Sequence, residues 1–410
     1  MRRSTCGIIL LSLALSLMPA LAQSPETVTY SYNGGPLEIY SNDANIVTLA
    51  TIPVPRALKI TNVTVRVQVQ YSPVGDINLY VFSPAGTRTK LLERNCGSLV
   101  NIDTTFDDAA TSKYADFCPA EAGRGPFRGN EPLSNFKDQV SLGNWILAVE
   151  NNGTGKMGWL TQFVVTITGT LSASPIFVPQ TVGNAASVTP GAIAPGELVG
   201  IFGAGLGPTT GVTAPAGNWP TILSGTTVLF DGVQVPIAFS SYYLTLVQAP
   251  FLLTPGVSTN VQVQYNGATS PTVPISVATT APAIFTTSAA GNGSAKVING
   301  DGTLNSKTNP AALGTYITFY ASGLGAVNPT LTAGQVPQTG TLYTTVQDVA
   351  ASVGGVPAKV SWAGLAPGIP GVYQVNILLD QKLPRGTQSL VISSGGNASQ
   401  KDVTVEISLK

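Results

Sequence analysis

The stretch Gly75–Thr87 reads GDINLYVFSPAGT. Gly75 and Asp76 open it as a turn. Ile77, Leu79 and Val81 then alternate with Asn78, Tyr80 and Phe82, the period of two that marks a β-strand. Ser83-Pro84-Ala85-Gly86-Thr87 ends the strand, where Pro84 and Gly86 suit a tight turn. Upstream the same period recurs: Val63, Val65, Val67 and Val69 alternate with Thr64, Arg66, Gln68 and Gln70, and the run stops at Ser72-Pro73. Downstream, Trp159–Thr170 (WLTQFVVTITGT) reads as a closing strand. Strands of this kind present one face to a core and the other to water, so two antiparallel sheets packed face to face are expected.

Four further segments follow in order. They are Thr104-Thr105-Phe106-Asp107-Asp108, Pro126-Phe127-Arg128-Gly129, Pro132-Leu133-Ser134-Asn135-Phe136, and Gly143–Asn151 reading GNWILAVEN. With Gly75–Thr87 they resemble the P domain, also called homo B, the jelly-roll β-sandwich that follows the catalytic domain of kexin-like and many bacterial subtilisin-like proteases. The resemblance covers about Val28–Thr170.

Composition agrees with an all-β protein of the cell exterior. The 410-residue chain is rich in Gly, Pro, Thr and Val, and only 10% of it is charged, which suits many turns and little helix. Its start reads as a secretory signal: Arg2 and Arg3 form the charged region, Ile8–Leu17 the apolar region, and Ala20-Leu21-Ala22 the small-residue site, with cleavage after Ala22. No later stretch is apolar enough for a transmembrane helix. Removing Arg2 and Arg3 from the 20 basic residues leaves 18 against 20 acidic, a formal charge of −2, so nothing here attracts nucleic acid or an anionic membrane. Charge is also unevenly spread. Between Pro175 and Thr280 only Glu197 and Asp231 are charged.

Beyond Thr170 the chain reads as two diverged copies of one unit. Ala194-Pro195-Gly196 with Ile201–Pro208 (IFGAGLGP) matches Ala312-Leu313-Gly314 with Phe319–Gly325 (FYASGLG). Val228–Pro236 (VLFDGVQVP) matches Ala351–Val360 (ASVGGVPAKV), and Leu246–Pro250 (LVQAP) is set against Tyr373–Ile377 (YQVNI). Each copy closes with a strand pair around Asn266-Gly267 or Gly395-Gly396, dipeptides suited to the primed hairpin turns. The copies resemble a C-terminal repeat domain of large secreted proteins of soil bacteria and are similar to immunoglobulin-like domains of the IPT/TIG type. The expected map is a signal peptide over 1–22, a P-domain-like sandwich over 23–172, and immunoglobulin-like sandwiches over 173–281 and 282–410. Small residues and Pro mark Ser172–Gly183 and Thr279–Ala289 as linkers.

The chemistry of the chain is defined first by what it lacks. It contains no His, which removes the Ser-His-Asp triad, the Cys-His pair and His-containing zinc sites. Cys96 and Cys118, the only cysteines after the signal segment, are expected to pair in an oxidising compartment. Two readings fit the acids of the first region. Calcium takes six to eight oxygen ligands, and several P domains bind it, so the resemblance implies Asp76, Asp107 and Asp108 as ligands. Alternatively the acids cap turns by accepting backbone N–H bonds. Gly203-Ala204-Gly205-Leu206-Gly207 lacks the spacing of a nucleotide loop and reads as a bulge or turn. Trp219, Tyr242, Tyr243 and Trp362 read either as core or as sugar-stacking surfaces. The function expected is that of a secreted, non-catalytic β protein with stabilising, binding or adhesion units. The alternatives are an accessory chain of a secreted subtilisin-like endopeptidase and a carbohydrate-binding surface protein. Its partner would be a protein or glycan at the cell exterior, including a secreted protease.

Overall fold

The computed structural model describes residues 24–41, 46–119, 125–172, 174–338 and 340–408. The secretory segment expected over residues 1–22 lies outside the described residues. No described helix is long and apolar enough to cross a membrane.

The first region is a sandwich of two sheets. Its strands are β1 (Glu26–Ser31), β2 (Leu37–Ile39), β3 (Thr48–Val54), β4 (Lys59–Gln70), β5 (Ile77–Phe82), β6 (Arg88–Glu93), β7 (Ile102–Phe106), β8 (Gly143–Asn151) and β9 (Gly158–Thr170). One sheet runs β1-β9-β4-β7, with β2 also on β9; the other runs β3-β8-β5-β6. The alternation read in β4 drives this arrangement. Val63, Val65, Val67 and Val69 are buried, while Thr64, Arg66 and Gln68 stay partly exposed. Val65 lies opposite Val165 and Phe106 across the two neighbouring ladders. From the facing sheet, Ile77, Leu79, Val81, Trp145, Leu147 and Val149 enter the same core. The Trp145 indole meets Phe136 edge-on at 5.1 Å and donates to the Ser141 carbonyl at 3.0 Å, so its one polar atom is satisfied inside the core.

β5 departs from simple alternation. Asn78 and Tyr80 on its outward face are buried as well as Ile77, Leu79 and Val81. The strand is central, with β8 on one side and β6 on the other. The Arg88 guanidinium lies 5.0 Å from the Tyr80 ring centroid and helps to cover that face. The turn after β5 behaves as read: the Gly86 N–H donates to Ser83 O at 2.9 Å, and Gly86 has φ +80°, a conformation that favours glycine.

The rest of the chain has two more hydrophobic cores. Strands between Val182 and Ser276 form two six-stranded sheets, and those from Ala283 to Ile407 form a twelve-stranded sheet. Both parts share a pairing scheme. Leu198–Phe202 pairs with Leu244–Gln248 as Tyr316–Ser322 pairs with Tyr373–Leu378. Thr226–Phe230 pairs with Ser258–Tyr265 as Val349–Val353 pairs with Gly386–Ser394. Parallel bridges join Ile193 to Val277 and Ala311 to Ile407. At Asp231-Gly232, Asn266-Gly267, Gly354-Gly355 and Gly395-Gly396 both turn residues have positive φ, as type I′ turns require.

Two expectations need correction. Leu198 faces Gln248 and Tyr316 faces Leu378, and both first residues stand equally far ahead of the glycines Gly205 and Gly323. Leu244–Gln248 therefore corresponds to Gln374–Leu378, three residues away from the match read in the sequence. An odd shift exchanges the two faces of a strand. With the pairing-based match, Thr245 and Val247 fall on Val375 and Ile377, and all four are buried. The presumed linkers are also not exposed spacers. Phe177, Thr181, Val182, Thr280, Ala283 and Ile284 are all buried. Ile176 exchanges backbone bonds with Ala204, and Ala281 N–H donates to Gly323 O at 2.7 Å. A Cβ on Gly205 would stand 2.6 Å from Ser174 O, and one on Gly323 2.0 Å from Ala281 O. The glycine-rich turns are thus seats for the incoming chain, and small residues in these segments serve close packing.

Candidate functional site

The first and second parts are held together by a small core of their own. Ala57 and Val140 of the first meet Ala204 and Tyr242 of the second, with Leu142, Leu171, Ile176 and Tyr243 packed around them. Tyr242 and Tyr243 meet edge-on at 4.7 Å, and the Tyr242 hydroxyl donates to Ser172 O at 3.2 Å. Burial pushes the Tyr242 hydroxyl pKa up, with the Tyr243 phenol adding to it, so this hydroxyl remains a donor. Arg56 clamps the edge of the contact. Its Nη2 donates to Glu26 Oε2 at 2.6 Å, its Nε to Glu26 Oε1 at 3.0 Å, and its Nη1 to the Tyr243 hydroxyl. The pair is partly open to water, so its worth lies in direction more than in energy.

Beside this contact the two parts border an open cleft of about 850 Å³. Phe82, Ser83, Pro84, Leu142, Asn144 and Ile146 form one wall. Pro179, Gln180, Thr181, Val188, Pro190, Phe202 and Ile275 form the other. The wall from the first part is built by the end of β5, its turn, and the start of β8, where Phe82 lies opposite Ile146. Phe202 ends the strand that pairs with Leu244–Gln248. None of the lining residues carries a charge. The second part has only two charged residues between Pro175 and Thr280, and neither lines the cleft. Glu197 is fully buried, and Asp231 accepts the Asn260 N–H at 2.8 Å and the Thr259 hydroxyl at 2.7 Å. A concave, mainly apolar surface with a few amide and hydroxyl groups suits an uncharged ligand with an apolar face.

The site residues named from the sequence lie elsewhere. Cys96 and Cys118 are joined, with Cα atoms 5.1 Å apart. The three acids have separate partners. Asp76 faces the Lys156 ammonium at 3.5 Å, beside Gly153, where a Cβ would stand 2.4 Å from Asp76 Oδ2. Asp107 accepts the Ala109 N–H at 2.9 Å. Asp108 accepts the N–H groups of Leu133 and Ser134 at 2.9 and 2.8 Å, which caps the short helical turn Leu133–Phe136. Among the described residues no group of three or more His, Cys, Asp or Glu stands together so as to hold a metal ion. The aromatic residues do not share a face either. Tyr242 and Tyr243 are used in the contact between the parts, and the backbone N–H of Trp219 donates to Gly334 O of the third part. Sequence reasoning missed Arg56, Glu26 and the cleft. The one available signal was the uncharged stretch, which foretold a neutral wall.

The loop and strand order around this cleft can be compared with known proteins. Residues 60–167 match the family model of the proprotein convertase P-domain. The P-domain match leaves well over half of the 410-residue chain outside it. The sandwich that contains the matched residues begins earlier, because β1 and β2 pair with β9. No curated protein sequence matches the chain. A serine protease of Aeromonas sobria in complex with a chaperone is similar at 17% identity, over 36% of this chain and 26% of that one, with a TM-score of 0.24. The structure of the Aeromonas sobria serine protease alone also gives 17% identity, over 39% and 29% of the two chains, with a TM-score of 0.24. A Bacteroides ovatus mixed-linkage glucan utilization locus protein, SGBP-B, in complex with a mixed-linkage heptasaccharide is similar at 11% identity, over 90% and 64%, with a TM-score of 0.28. The chain spans only about a quarter of the length of the first of these structures. Overlaps with such scores carry no argument about activity.

Proposed function

We propose that this chain is a secreted, non-catalytic binding protein. Its P domain and the unit that follows hold an uncharged segment of a partner protein in the cleft between them. The two later units, over 173–281 and 282–410, are immunoglobulin-like repeats that carry the P domain as a spacer. Their shared pairing scheme supports the repeat reading. The observation that carries the proposal is the cleft itself: two apolar walls, contributed by different units and fixed by the Arg56 clamp, with no charged lining residue. A chain with no His also lacks the usual base for activating a Ser or Cys nucleophile.

Asn144 and Gln180 are exposed residues on opposite walls, so N144E/Q180E places charge in the cleft without disturbing a core. The expected result is that neutral peptides selected from a displayed library by the wild-type chain lose at least about tenfold in affinity for this variant, the cost of desolvating one charge poorly. Equal affinities would remove the cleft from the account.

A second reading is favoured by the P-domain match, since this domain accompanies subtilisin-like catalytic domains. The chain would then be an accessory to a separate secreted protease. Purified alone it should not hydrolyse casein. The second reading gains if adding the chain to such a protease extends that enzyme's half-life at elevated temperature.

A further inference from the structure

One acid in the second part lies where an ionised group is costly. Glu197 is 0% exposed, at the joint between the second and third parts. Its Oε2 accepts the Ala194 N–H at 2.6 Å, while Oε1 has no hydrogen-bond partner. The turn that carries it is bound from both sides. Ala249 N–H donates to Glu197 O at 2.8 Å, and Gln248 Nε2 donates to Gly196 O at 3.3 Å. From the third part, the Tyr373 hydroxyl donates to Gly325 O and reaches Pro195 O at 3.4 Å, and Ser322 Oγ accepts the Leu198 N–H at 2.8 Å. Phe251, next to this turn, is buried in the core of the third part.

We propose that Glu197 is a proton-operated lock on this joint: protonated, it lets the Pro195–Leu198 turn seat against the third part, and ionised, it loosens that seat. A neutral side chain is sufficient for the turn alone. The corresponding turn of the third part, Ala312-Leu313-Gly314-Thr315, is closed by a Thr315 hydroxyl donating to Ala312 O at 2.6 Å. The acid therefore adds a dependence on protons that the turn does not need.

Burial is the largest influence on Glu197 and raises its pKa well above 4.5, with the Ala194 N–H acting in the opposite direction. Around it, the strand ending at Gln248 supplies an amide, the strand Tyr316–Ser322 supplies a hydroxyl, and Tyr373 is the titratable group that feels its charge. Burial raises the Tyr373 phenol too, so it stays neutral while Glu197 titrates. The folded joint thus binds a proton that the open chain releases above about pH 4.5. Its contribution is complete below that pH and is lost as pH rises toward the folded-state titration of Glu197. In that window each pH unit makes opening about tenfold easier.

The test follows the melting of the full mature chain from about pH 5 to about pH 9, with wild type, E197Q, E197T and Y373F. Wild type and Y373F should lose melting temperature as pH rises, while E197Q and E197T should not share that slope. Parallel slopes for wild type and E197Q would overturn the proposal. If neither Glu197 variant folds, a wild-type melting temperature that stays level or rises over this range overturns it alone.

Discussion

At the residue scale, the acids of the P domain show how one residue type serves different ends. Asp108 comes from the loop after β7 yet caps a turn far along the chain, accepting two N–H groups that would otherwise be orphaned. Asp108→Ala should therefore cost about 1 kcal/mol, the usual worth of such a cap, measured as a lowered denaturant midpoint at unchanged slope. The capping reading predicts that calcium and chelator leave the same melting temperature. The calcium reading predicts a calcium-dependent rise that Asp76→Asn removes. The cysteine pair was legible because two cysteines allow one pairing. Capping was one of two readings of Asp108, but the turn it caps was not legible, because Asp108 and Leu133 meet only after the sandwich has closed. Opening the Cys96–Cys118 bridge by Cys→Ser at both positions should cost about 3 kcal/mol in the chain-entropy model.

At the element scale, strands with strict alternation were readable. β4 and β9 run where the Val and Thr pattern places them, because a half-buried strand writes its two faces into the sequence. Hairpin turns were readable for a different reason: a positive φ at both positions selects Asn, Asp and Gly. Gly396 has φ +84° and open space around its Cβ position, so Gly396→Val should cost about 1–2 kcal/mol from backbone strain alone, seen as a lower melting temperature without loss of fold. The strand Leu244–Gln248 was misaligned by three residues because its residue types agree poorly with the later copy in either register. Only the ladder to Leu198–Phe202 decides between them.

At the scale of the whole molecule, composition misled most at the joints. Small residues and Pro usually mark exposed linkers, but here they allow the chain to lie against Gly205 and Gly323. Limited proteolysis of a chain lacking residues 1–22 should therefore spare 181–184 and 280–286. Rapid cleavage at either segment would show that the parts move independently. The cleft was invisible to sequence because its walls come from separate stretches of the chain, 82–86 and 142–146 on one side and 179–192, 202 and 274–276 on the other, brought together by Arg56, Tyr242 and Tyr243.

The central claim is that this cleft is preformed, and a distance between its walls tests it most directly. Spin labels at Asn144→Cys and Gln180→Cys, in chain lacking residues 1–22, report that distance by pulsed electron resonance, since Cys96 and Cys118 are already joined. The account predicts one narrow distribution that broadens when Tyr243→Ala removes the clamp's partner. A broad distribution in the otherwise unchanged chain would contradict it.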